Sequence, residues 1–93
     1  MANPVVESAS YKNLSASGLV RTGPGQLLGI FVASSSAGTI KVWDNTSAAT
    51  TVLVNTFTAV GGSFYPMPFS FTTGLYVTIA GTLDCTVSFN PVN

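Results

Sequence analysis

The chain has 93 residues, no histidine, one cysteine and a formal net charge of zero; 6% of its residues are charged and 46% are hydrophobic. Its acids and bases are Glu7, Asp44, Asp84, Lys12, Arg21 and Lys41. General acid–base, nucleophilic and metal chemistry need clustered His, Cys, Asp, Glu or Lys, and so few groups leave almost no material for such a cluster.

A chain of this length makes one domain, and a domain so small buries only about 60–65% of its unfolded surface. Small folds compensate with disulfides, a metal or partner subunits. Cys85 is alone, so no disulfide forms within the chain, and a structural zinc lacks its four Cys or His ligands. Partner subunits remain, and a neutral, weakly charged surface favours association. Three cations spread from Lys12 to Lys41 make no basic stripe, which argues against nucleic acid as a direct partner. No apolar run approaches the roughly 20 residues that span a bilayer, the longest being Leu27–Ala33, so no membrane partner is expected. The start, Met1-Ala2-Asn3-Pro4, lacks the basic and apolar regions of a secretory signal, and synthesis in a cytoplasm is the expectation. Asn13-Leu14-Ser15 and Asn45-Thr46-Ser47 match the glycosylation pattern and are read as chance in that context.

Residues 1–13 are polar and mixed and read as a flexible arm ahead of one β domain over 14–93. From Leu14 onward Val, Ile, Thr, Phe and Tyr dominate, Gly, Pro, Ser and Asn punctuate, and helical periodicity is absent. Ser15–Thr22 is a weak first strand, and Gly23-Pro24-Gly25 a turn. Gln26–Ser34 follows, with Leu28, Ile30 and Val32 on one face and Leu27, Phe31 and Ala33 on the other. A strand apolar on both faces is buried on both, here a core on one side and a subunit contact on the other. Ser35-Ser36-Ala37-Gly38 reads as a turn into Thr39–Asp44, where Ile40 and Val42 point one way and Lys41 and Trp43 the other. After the polar loop Asp44–Ser47 comes Thr51–Thr58. Gly61-Gly62 turns into Ser63–Thr72, which Pro66 and Pro68 mark as an edge strand or corner. Thr73-Gly74 leads to Leu75–Ala80, and Gly81-Thr82 to Leu83–Phe89, where Cys85, Val87 and Phe89 alternate with Asp84, Thr86 and Ser88. Seven or eight short strands with turns every ~8–12 residues predict an all-β fold, a small antiparallel β-sandwich of jelly-roll or immunoglobulin type.

The motifs resolve mostly into structure. Gly23-Pro24-Gly25 lacks the G-K-[ST] ending of a phosphate loop. Asp44 and Asp84 are the only carboxylate pair besides Glu7, and turn positions without supporting groups do not make a glycosidase. Cys85 alternates onto an apolar face and reads as an inert buried thiol, since a nucleophile would need a base. Trp43 shares the polar face with Lys41, and a large aromatic there suggests a contact surface. Phe64-Tyr65-Pro66-Met67-Pro68-Phe69 reads either as a filled corner or as an apolar patch. The candidate partner-contact residues are therefore Trp43, Lys41, Phe64, Tyr65 and Phe31. No catalytic, cofactor-binding or metal residue is assigned.

Three stretches carry a resemblance: Arg21-Thr22-Gly23-Pro24-Gly25-Gln26-Leu27-Leu28-Gly29, Ile40-Lys41-Val42-Trp43-Asp44-Asn45-Thr46-Ser47-Ala48 and Gly74-Leu75-Tyr76-Val77-Thr78-Ile79. Together they resemble a family of small virion proteins of tailed bacteriophages, over about Leu14 to Phe89. Similar proteins serve as capsid decoration, or cement, subunits. The resemblance implies a homotrimer that binds the major capsid protein on the virion exterior, bridges shell subunits and uses no cofactor or small-molecule substrate. The arm Ala2–Asn13 is the expected capsid contact. The alternative is a receptor- or glycan-binding module of a head or tail fibre, with Trp43 or Tyr65 in a shallow site.

Overall fold

The computed structural model describes residues 9–92. They form one antiparallel sheet of six strands and, among the described residues, no helix. The strands are β1 (Ser10–Leu14), β2 (Gly18–Thr22), β3 (Gly25–Trp43), β4 (Val52–Thr58), β5 (Ser63–Phe71) and β6 (Gly74–Pro91).

β3 and β6, of 19 and 18 residues, pair along almost their whole lengths. The shorter strands flank this central ladder. β1 pairs the second half of β6 and β2 its first half. β5 pairs the first half of β3 and β4 its second half. The sheet thus has two four-stranded halves, β1–β6–β3–β5 and β2–β6–β3–β4, which share the two long strands.

The strand count corrects the expectation from sequence. Ser35–Gly38 and Gly81-Thr82, read as turns, do not end strands. They lie opposite one another in the β3–β6 ladder, with Ser36 facing Thr82 and Thr39 facing Ala80, and the register shifts between these pairs. The chain carries a bulge there instead of a reversal. Ala37 (φ 56°) and Gly81 (φ 82°) take left-handed backbone in it. A Cβ on Gly81 would stand 2.6 Å from the Ala37 carbonyl oxygen, so the two strands press together where both bend. Short Gly/Ser runs carry the same composition whether they reverse the chain or kink it.

The bend is large. At roughly 3.3 Å per residue a straight β3 would span about 60 Å. The longest dimension of the molecule is 47 Å. The two ends of β3 also meet one turn: Gly25 pairs Phe71, and Asp44, just past Trp43, binds the backbone of Thr72, Thr73 and Gly74. The ladder therefore doubles back on itself.

Inward side chains of both halves then share one core. Leu27, Ile30, Val32, Ile40, Val42, Leu75, Val77, Cys85 and Val87 are fully buried, with Phe71 close behind, and among the described residues no buried one is polar or charged. Removing such a Val, Leu or Ile side chain from water contributes about 1.5–3 kcal/mol. The core that one flat sheet cannot enclose comes from folding the sheet over it.

The alternation Cys85, Val87, Phe89 inward and Thr86, Ser88 outward holds as expected. Two local readings change. Leu27 was assigned to the face of Phe31 and Ala33, but it is fully buried with Ile30 and Val32. A register shift between Leu27 and Gly29 makes Leu28 an extra residue and moves Leu27 to the other face. Ser10–Asn13, assigned to the arm, form most of β1, because Leu14 packs into the core and Asn13 hydrogen-bonds β6 at the Cys85 carbonyl. The weak first strand over Ser15–Thr22 is in fact β2 alone, with 15–17 linking it to β1. Residues 1–8 of the arm lie outside the described residues.

The two positive-φ positions at the bulge, Ala37 on β3 and Gly81 opposite it on β6, predict opposite responses. Gly81→Ala meets backbone and left-handed strain and is expected to lose about 1–3 kcal/mol. Ala37→Gly relieves a left-handed alanine and is expected to gain up to about 1 kcal/mol. Urea unfolding of both variants checks this; losses of equal size would mean that the bulge is not under this constraint.

Candidate functional site

The proposed contact residues fall into three places. Phe31 on β3 stands directly opposite Phe64 on β5 and opposite Thr86 on β6, which in turn faces Asn13 on β1. This row crosses the outer face of the first half, called face A. Phe31 and Phe64 are 44% and 53% exposed. The Phe64 ring leans over Gly29, where a Cβ would collide with it, so glycine is what lets the ring lie flat on the sheet. The next row, Tyr11–Ser88–Gly29–Pro66, is also uncharged. Along β6 the charge on this face is Asp84, two positions from Thr86, and it accepts a 2.8 Å hydrogen bond from the Asn13 amide.

Trp43 and Lys41 lie on the outer face of the second half, face B. Here the row is Leu19–Tyr76–Trp43–Val52, one residue from each strand. Leu19 and Val52 are 39% and 42% exposed. The Trp43 indole N–H donates to the Thr78 hydroxyl at 2.8 Å. The Lys41 ammonium rests 4.5 Å from the ring centroid, a cation–π contact. Trp43 is thus partnered at its donor and covered on a face by lysine, which leaves it poorly set to stack on a sugar.

Tyr65, the fifth residue, belongs to neither face. It points inward at the edge between β4 and β5, packs tilted against Phe57 at 5.0 Å and accepts a hydrogen bond from the Val60 N–H. With Val54, Met67 and Phe69 these rings line an open cleft of about 510 Å³. Within 64–69, Phe64 lies on the outer face while Tyr65 and Met67 point inward to the cleft. The cleft was not anticipated, because it needs β4 and β5 to approach across the fold.

The sheet edges are defended. β1 is five residues with Lys12 exposed. β2 is five residues with an extra residue between Leu19 and Arg21. β4 has two register irregularities against β3. β5 carries Pro66 and Pro68. Bulges, prolines, charge and short length all discourage strand addition.

Two groups have perturbed chemistry, Asp44 and Cys85. Partial burial pushes the Asp44 carboxyl up, but N–H donation from Thr73, Thr72 and Gly74 and the Thr72 hydroxyl outweigh it and hold the group below its ordinary 3.8. The closest donor, the Thr73 N–H, is at 2.9 Å. Asp44 is thus a clamp between the end of β3 and the β5–β6 turn. Burial pushes the Cys85 thiol up to about 11, and the Asp84 charge adds to the shift. At neutral pH it is a protonated thiol in the core and not a nucleophile. Asp44 and Asp84 each hold a separate structural hydrogen-bond network. Among the described residues no three His, Cys, Asp or Glu side chains group to hold a metal ion.

No protein-family model, no curated protein and no solved structure matches the chain.

Asp44→Ala is expected to cost about 1–2 kcal/mol, since hydrogen bonds to a charged group are lost from a partly exposed site. Because the folded value is depressed, the clamp contributes fully above the unfolded value of 3.8 and fades as pH falls through the folded value beneath it. Wild type and Asp44→Ala should therefore converge in stability at the acid end of a pH series of unfolding curves; a gap that widens toward acid would overturn the assignment.

Proposed function

We propose that this chain is a structural protein of a tailed-phage virion, which binds the outside of the capsid as a homotrimer and holds shell subunits together through the major capsid protein. The observation that carries the reading is the pair of outer faces, each with an aromatic cluster among uncharged Ser, Thr and Asn and with almost no charge. Interface cores are enriched in aromatics and depleted of Lys, Glu and Asp, as these faces are. Defended edges, a rigid doubled-back sheet and the resemblance in Arg21–Gly29, Ile40–Ala48 and Gly74–Ile79 support the same reading.

The finer architecture belongs to this proposal. We read the two halves as the leaves of a β-sandwich built from eight strand segments, with β3 and β6 passing through both leaves. The shared core, the Asp44 clamp and the length of β3 relative to the molecule support it.

Light scattering on the purified chain is expected to give the mass of a trimer. The trimer should disappear from the supernatant when mixed with undecorated heads of the phage that encodes it, and should raise the temperature at which those heads open. A soluble pool that heads leave untouched overturns the capsid reading. Glycan-array binding that Trp43→Ala abolishes would establish the fibre-module alternative instead.

A further inference from the structure

Each outer face carries the same device with opposite charge. On face A, the Phe31–Phe64 pair lies beside Asp84. On face B, the Tyr76–Trp43 pair lies beside Lys41, which faces Thr78 in the adjacent row. Lys41 rests on the Trp43 ring, and Asp84 accepts from the Asn13 amide, so both charges are placed but neither is neutralised by the other. Inward residues of both halves bury in one cluster, so the two faces point away from a shared core and cannot meet within one molecule.

We propose that face A of one copy packs against face B of the next, with Phe31 and Phe64 against Trp43, Tyr76 and Val52, and Asp84 toward Lys41. This rests on the self-associating part of the function proposed above and names its surfaces. The occupant is a second copy because the charges complement each other. Packing like faces together would bring Asp84 toward Asp84 or Lys41 toward Lys41, which disfavours that arrangement. The aromatic rows supply contact area, and the single charge pair sets orientation more than affinity. A contact between two different faces is heterologous, and such contacts close into a ring when the rotation allows.

The test blocks each face separately. Phe31→Glu and Val52→Glu change exposed outward positions, and circular dichroism and thermal melting establish that each variant is folded; Phe31→Thr and Val52→Thr repeat the test with strand-favouring residues. Each variant alone is expected to be a monomer by sedimentation at concentrations where the wild type is a trimer. An equimolar mixture of Phe31→Glu and Val52→Glu is expected to give a one-to-one dimer and nothing larger, since each retains one competent face. Asp84→Lys and Lys41→Glu should each weaken association about tenfold or more, and the double reversal should restore it. Self-association surviving in either blocked variant, a mixture that stays monomeric, or no recovery in the double reversal overturns the proposal. A trimer that ignores phage heads would sink the capsid reading and leave this one standing. A monomer that still binds heads would do the reverse.

Discussion

The β3–β6 ladder is the constraint on which the rest depends. Two strands of 19 and 18 residues stay paired through a bend instead of ending at it. β3 carries one extra residue there, with Ala37 and Gly38 standing opposite Gly81 of β6, and the ladder bends without ending. Every short strand then attaches to one half or the other of this ladder. The core fills because the ladder folds over it, and the Asp44 carboxylate ties the end of β3 to the turn that follows the partner of its beginning.

That construction explains how a domain with so little charge remains a defined structure. Among the described residues burial is wholly apolar; Asp44 and Arg21 fasten strand ends, and Lys41 and Asp84 lie on the outer faces. The surfaces left over are sheet faces decorated with Ser, Thr and Asn around aromatic pairs. With the edges blunted by bulges, prolines and Lys12, the molecule offers faces and not hydrogen-bonding templates. Such a surface suits specific assembly and disfavours open-ended strand stacking.

Much of this was legible in the residues. The all-β class follows from β-branched and aromatic enrichment without helical period. Trp43 and Lys41 opposite Ile40 and Val42, the buried Cys85–Phe89 face and the edge character of the Pro66–Pro68 strand follow from the two-residue alternation of a pleated chain. Of the proposed contact residues, Phe31, Phe64 and Trp43 were legible as outward aromatics, but not as members of two separate faces. Tyr65 points inward and lines the open cleft, which the aromatic run around Pro66 obscures.

Alternation is local, so the sequence by itself determined which side chains along each regular run of strand share a face. Tertiary structure alone decided where strands continue and where they end. The runs Ser35–Gly38 and Gly81-Thr82 are compatible with reversal or with a bulge, and only their pairing with each other across the ladder selects the bulge. The same holds for Leu27: one extra residue at Leu28 flips it into the core, a shift set by cross-strand register with Phe89 of β6. Register is a property of two strands, and no single strand contains it.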